Sequence, residues 1–139
     1  MIAFDTDIVS QIIRGNPAYV ARALLIPREL QSAPIVAAEE SLRGWLNLVR
    51  MADASKAKTS LEHAYAQLVK GITFFGAINL LPYTAEAKQK YEEFRAMKIR
   101  IGTQDLRIAA ICVAHNVKLV SRNKRDFDLV PGLNLEIWN

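Results

Sequence analysis

The residues predict an α/β chain whose parallel sheet, of about five strands, is covered by helices on both faces. Short apolar runs alternate with longer segments of helical periodicity, the pattern of strand–helix–strand units. The runs lack the polar alternation of a half-exposed strand, as strands buried on both faces require. Acidic residues stand where these elements change over, at the places a parallel sheet gathers along its C-terminal edge.

In order, Ile2 to Phe4 reads as a short buried strand, with Asp5-Thr6-Asp7 at its end. Ile8 to Arg14 reads as a helix stopped by Gly15, and Asp7 as its N-cap. Asn16-Pro17 opens a second helix, proline suiting the first helical position, and Pro27 interrupts it. Ser32 to Val36 is the second strand, entered at Pro34. A helix follows from about Ala37 to Arg50, with Leu42, Leu46 and Val49 expected inward. The longest helix is expected over roughly Asp53 to Phe75, with Ala57, Leu61, Ala64, Leu68, Ile72 and Phe75 along one stripe. Ile78 to Leu81 is a strand closed by Pro82, and Thr84 caps a helix that turns Ala87, Tyr91, Phe94 and Met97 inward. Gly102 and Thr103 read as turn and N-cap of a helix that is apolar nearly all round and therefore sandwiched in the core. Asp105 falls in its first turn. Val117 to Val120 is the next strand, a polar loop carries Ser121 to Asp126, and Leu133 to Ile137 is the last strand.

With 139 residues and 51% hydrophobic content, one globular domain over 1–139 is expected, large enough for a real core. Eighteen basic against 14 acidic residues give a net +4, which suits a polyanionic partner without requiring one. Cys112 is the only cysteine, so disulfides and thiolate zinc sites are excluded and a reducing, cytoplasmic setting is expected. His63 and His115 are far apart and show no ligand spacing. Met1 to Asp5 carries no basic n-region, and the apolar run Gly71 to Leu81 is too short to cross a bilayer, so neither signal peptide nor membrane span is expected.

Taken singly, each acid has an ordinary explanation. Glu39 and Glu40 open a helix and Asp105 sits in a first turn, where the macrodipole favours negative charge. Asp126 turns the chain before Phe127, and Asp5 suits a turn or a helix cap. Together they say more. Asp5, Glu40, Asp105 and Asp126 all stand at element boundaries, three of them after predicted strands, and one parallel sheet brings such positions to one edge. Gathered carboxylates repel and take up protons unless a cation lies between them. A donor set of oxygens alone selects Mg²⁺ or Mn²⁺, the ions that activate water against a phosphodiester.

The same residues resemble a family. Phe4-Asp5-Thr6-Asp7, Glu40-Ser41-Leu42-Arg43-Gly44, Ile101-Gly102-Thr103-Gln104-Asp105 with Ile108-Ala109-Ala110, Leu119-Val120-Ser121-Arg122-Asn123, and Asp126-Phe127 with Val130-Pro131-Gly132-Leu133 and Trp138 follow one another as in PIN-domain ribonucleases of the VapC toxin type. The likeness spans nearly the whole chain. It implies a PIN-like fold, Mg²⁺-dependent endoribonuclease activity, a VapB-type antitoxin and a homodimer. Carried over residue by residue, it implies metal ligation by Asp5, Asp105 and Glu40, with Asp126 as a fourth catalytic acid. Helical spacing leaves Glu39 in reserve for Glu40, since Glu39 shares a face with Leu42 and Leu46, whereas Glu40 shares one with Gly44. Relatives place the last acid either where this chain has Asn123 or in the acid–Phe pair, so Asn123 stands as an alternative holder of a metal-bound water or a phosphate.

Arg122 and Arg43 join Asn123 as candidate substrate contacts, with Arg107, Lys124 and Arg125 as further rim cations. Tyr19, Leu24, Leu25, Leu48 and Met51 are candidates for a dimer surface. Two other readings fit parts of the chain. Phe4 to Val9 also matches the D-x-D-x-[TV] start of haloacid-dehalogenase-type phosphatases, with Asp5 as a covalent nucleophile, although the later acidic motif of that family is missing. A non-catalytic RNA- or protein-binding module is the other.

Overall fold

A computed structural model describes residues 1–139. Its centre is β1 (Ile2–Phe4), flanked by β2 (Gln31–Pro34) on one side and β4 (Lys118–Ser121) on the other; β3 (Asn79–Leu81) and β5 (Leu135–Ile137) form the edges of an all-parallel sheet in the order β3-β2-β1-β4-β5. Ala3 stands beside Ser32 and Leu119, which fixes the register at the centre. The period of two along a strand then divides the core. Ala3 and Leu119 belong to the layer that includes Phe94, Leu106, Ile111 and Phe127; Phe4 and Val120 belong to the layer that includes Ile8, Tyr19, Phe75 and Trp138.

Seven helices cover these faces: α1 (Thr6–Ile13), α2 (Pro17–Leu24), α3 (Ile35–Asp53), α4 (Leu61–Gly76), α5 (Ala85–Ala96), α6 (Thr103–His115) and the single turn α7 (Lys124–Phe127). Helix α6 is the sandwiched one: Leu106 and every residue from Ile108 to Cys112 are buried. Asn116 ends it in the left-handed conformation, φ 54°, which lets its N–H reach back to the carbonyls of the last turn. Gln31 holds α2 against the sheet by donating to Ala23 O at 3.0 Å and Ile26 O at 2.9 Å.

Several local expectations give way to the structure. Asp5, not Asp7, caps α1, because the chain bends into the helix directly at the strand end and Ile8 N finds Asp5 Oδ1 at 3.0 Å. Pro34 closes β2 instead of opening it, and Ile35 and Val36 belong to α3; proline serves there as a strand stop and as the residue before the first helical turn. Gly102 occupies the N-cap of α6 and Thr103 its first turn, with no side-chain cap bond. The last strand is shorter than expected, starting at Leu135, and the expected loop after β4 contains α7, capped by Asn123.

The helix expected from Asp53 to Phe75 starts only at Leu61. Helix α3 runs on to Asp53, a turn-rich segment through Ala57 follows, and Ser60 caps α4 by accepting from His63 N at 3.2 Å. Of the expected stripe, Ala64 and Phe75 are buried, while Ile72 is 56% exposed. Gly71 is buried in its place against Trp45, where a Cβ would lie 2.1 Å from the ring. Leu46 likewise points to solvent, with Leu42 and Val49 half-buried. Met97 is exposed because α5 has ended and the chain reverses at Lys98, φ 57°. No helix is long and apolar enough to cross a membrane.

Candidate active site

The strand order reverses direction between β1 and β4, and crevices at such switch points are where open α/β sheets bind ligands. Asp5 and Ser121 lie there, one at each strand's C-terminal end. Asp5 N donates to Val120 O at 3.1 Å, extending the ladder by one bond, and the Ser121 hydroxyl donates to Asp5 Oδ2. With Ile8 N on Oδ1, both carboxylate oxygens of Asp5 are held. Ser121 Oγ in turn accepts from Asn123 N at 2.9 Å, so one buried hydroxyl orients the acid and shapes the following loop.

The other acids approach from three helices. Glu40, in the second turn of α3, accepts from Thr6 Oγ1 at 2.6 Å and is thereby tied to the start of α1. Asp105 is half-buried in the first turn of α6. Asp126 sits in α7, where Asn123 Nδ2 donates to its Oδ2 at 3.0 Å and Asn123 Oδ1 accepts from its backbone N at 3.2 Å. These reciprocal bonds engage both ends of the Asn123 amide inside the cap.

The charges of these acids act on one another. Burial pushes the Asp5 carboxyl up to about 6; the hydrogen bonds from Ser121 and Ile8 N pull the other way, and the negative charges of Asp7 and Asp105 add to the rise. Asp105 is raised too, first by desolvation and then by Glu40 and Asp126. Asp105 thus links the group: it feels Glu40 and Asp126 and in turn raises Asp5. Glu39 faces elsewhere: it pairs with Arg43 at 2.8 Å and accepts from Gln104 Nε2 at 2.9 Å. Arg43 is therefore engaged along α3, while Arg122 reaches Asp7 at 3.3 Å and lies over the Tyr19 ring at 5.8 Å.

The carboxylates share a region without closing on one point, and no group of three ligand-type side chains is arranged to hold a metal. The donor set nevertheless fits Mg²⁺. That ion dehydrates reluctantly, keeps several waters and is commonly held by one or two carboxylates with substrate phosphate, all through oxygen. Two raised acids are the feature a cation would relieve.

Two functional neighbours escaped the sequence reading. Ser121 and Thr6 stand inside the family-like segments but were given no role there; their contacts with Asp5 and Glu40 cross 116 and 34 residues. Tyr19, expected on a dimer surface, is instead buried beneath Trp138 and Arg22, whereas Leu24 and Leu25 are exposed and Leu48 and Met51 half-exposed.

The fold is an all-parallel five-stranded α/β architecture with acidic residues along one edge of the sheet. No protein-family model matches the chain. Ribonuclease VapC2 of Rickettsia felis is 31% identical over 70 residues, 48% of this chain and 52% of that protein, so the chain spans about half the length of the curated relative it matches. Among solved structures, VapBC2 from Rickettsia felis bound to a DNA fragment from its promoter superposes with a TM-score of 0.77 at 24% identity, covering 100% of both chains. DNA-bound VapBC from Salmonella typhimurium gives 0.76 at 21%, again over 100% of both chains. VapBC-1 from nontypeable Haemophilus influenzae gives 0.76 at 18%, over 99% of this chain and 98% of that one. At these identities the structural likeness is one of fold. The resemblance to the VapC type carried by the sequence motifs is thus met by a curated relative and by solved structures of the same architecture.

Proposed function

We propose that this chain is a Mg²⁺-dependent endoribonuclease, the toxin of a VapBC-type pair, with RNA as its substrate and a VapB-type antitoxin and a second copy of itself as partners. The observation that carries the reading is the Asp5–Ser121 junction at the switch point of the sheet, beside Asp105, which is raised first by desolvation and then by Glu40 and Asp126. The relative's description as a ribonuclease and the toxin–antitoxin complexes of like fold support it.

Asp5, Asp105 and Glu40 would hold the ion, Asp5 with its carboxylate plane fixed by Ser121 and Ile8 N. When bound, Mg²⁺ supplies charge for the phosphate oxygens and lowers the pKa of a coordinated water. Glu40, fastened to Thr6, faces the same region from α3, and Asp126 adds negative charge from α7. Arg122 follows Ser121 in the chain, is braced by Asp7 and the Tyr19 ring, and suits an RNA phosphate. Asn123, occupied by its cap, shapes the loop that carries Asp126. Arg43 would reach substrate only by leaving Glu39. Such a nuclease would work in the cytoplasm, where its RNA is.

The purified protein is expected to cut single-stranded RNA with Mg²⁺ or Mn²⁺ and to stop in excess chelator. Asp5→Asn and Asp105→Asn should each reduce cutting at least about a hundredfold while the folded far-UV spectrum is kept, an order of magnitude set by the loss of a directly acting group. Glu40→Gln should cost more than Glu39→Gln. Undiminished cutting in chelator would overturn the metal mechanism.

A further inference from the structure

The acids do not end at a flat edge. From the Thr6–Glu40 pair a cleft of about 590 Å³ runs between α1, α3 and α4. Each helix gives it one face: Thr6 and Arg14 lie two turns apart on α1, Glu40 and Gly44 one turn apart on α3, and His63 and Lys70 two turns apart on α4. Gly44 meets nothing within 4 Å where a Cβ would stand, so the cleft is open beside Glu40. Glu40 marks one end; Arg14 lies away from it at the close of α1, and Lys70 lines a second cavity together with Ile13, the chain neighbour of Arg14. Arg14 and Lys70 belong to none of the six ion pairs in the structure, so both are free to meet an anion.

We infer that this cleft is a subsite for single-stranded RNA, in which Arg14 and Lys70 bind a phosphate flanking the one that is cut. The inference rests on the ribonuclease reading for the direction of the strand toward Glu40. The volume lies within the range of small-molecule sites. The eight residue steps from Thr6 to Arg14, the C-cap of α1, rise about 12 Å along the helix axis, which separates the far phosphate from the acids. The repulsive Glu40 end and the attractive Arg14–Lys70 end together set the register of the strand, so that an RNA sits with its backbone charge at the cations and not against the carboxylates. An apolar peptide would find few partners here, because only three of the 13 lining residues are hydrophobic.

The test measures anisotropy of a fluorescein-labelled, sequence-randomised oligoribonucleotide binding to the full chain in EDTA, where no cutting occurs. Arg14→Gln with Lys70→Gln should weaken binding about tenfold and reduce the log–log salt slope by about 0.7, the share of one phosphate on a single strand. Arg14→Lys with Lys70→Arg keeps both charges and should restore wild-type affinity, which separates lost charge from a damaged fold. Lys88→Gln with Lys90→Gln removes equal charge from α5 and should change binding less than about twofold. The subsite is overturned if the wild type binds no RNA, if the double glutamine variant binds like the wild type, or if the α5 control loses as much; an unchanged RNA affinity would leave the cleft to a protein occupant. Weakened binding without metal-dependent cutting by the wild type would keep the subsite and sink the ribonuclease reading, and the converse result would do the reverse.

Discussion

Asp5 carries two duties that conflict. It caps α1 and belongs to the acid group, and burial, with like charges nearby, holds its carboxyl at about 6, above an unfolded value of about 3.9. A raised acid binds protons more tightly in the folded state, so folding loses stability as pH rises from about 4 through about 6, and the full cost stands above that window. The gap between the folded and unfolded values corresponds to at most about 3 kcal/mol. Asn caps as well as Asp, but its single oxygen cannot accept from both Ser121 and Ile8 N, a loss of about 1–2 kcal/mol. In chelator, Asp5→Asn should therefore melt above the wild type at pH 7.5 and below it at pH 4. Melting curves at the two pH values check this, and a variant less stable at both would mean that Asp5 is an ordinary helix cap. Added Mg²⁺ should narrow the difference at pH 7.5, since it binds only the charged site.

At the scale of elements, the contact between α3 and α4 depends on one absent methyl group. Ala for Gly in a helix interior ordinarily stabilises by about 1 kcal/mol. Gly71→Ala should do the opposite, because its Cβ would enter the Trp45 ring, which is itself lodged against Phe75 at 6.0 Å between centroids. Overpacking of this kind costs about 1–3 kcal/mol, and urea unfolding should show a lower midpoint with an unchanged slope. A rise in midpoint would mean that Trp45 has room to turn away. The two helices also form walls of the cleft, so the same substitution should weaken RNA binding if the cleft takes RNA.

The legibility of the elements follows from how local their causes are. Ile2–Phe4 and the nearly all-round apolar α6 were readable because burial leaves them few polar residues, whereas the edge strand Asn79–Leu81, exposed but for Leu81, was readable from its apolar residues and the proline that follows it. The division between α3 and α4 was expected but misplaced, after Arg50 in place of Asp53, and α4 was started too early, since Ala54 to Thr59 contains neither Gly nor Pro and its Ala and Lys residues favour helix. Leu46 and Ile72 satisfied the period of a buried stripe yet face outward, because periodicity registers an apolar face without saying what covers it.

Those outward faces bear on the whole molecule. Ile35 and Leu46 on α3 are exposed with Leu42 half-buried beside them, and Leu24, Leu25, Val69 and Ile72 are exposed on α2 and α4. Contiguous apolar surface of this kind marks association. A homodimer is expected, and sedimentation equilibrium at micromolar concentration should report twice the 15.6 kDa chain mass. Leu46→Glu should return a folded monomer if the α3 face is used. A wild-type monomer at that concentration would remove the dimer from the reading without touching the nuclease.

Strand identity and the succession of acids at strand and helix ends were determined by the sequence alone, since each depends on neighbours a few residues away, and the alternation of strands with helices implied the parallel sheet. Which acid meets which was decided only in three dimensions. Glu40 joins Thr6 while adjacent Glu39 turns to Arg43, and Ser121 reaches Asp5 across the sheet. The rotation of about 100° between successive helical residues separates two glutamates that look alike in the chain. The strand order separates or joins ends that lie far apart in the chain. Charge repulsion and desolvation, which raise Asp5 and Asp105, exist only once those ends are packed together in a place that water has largely left.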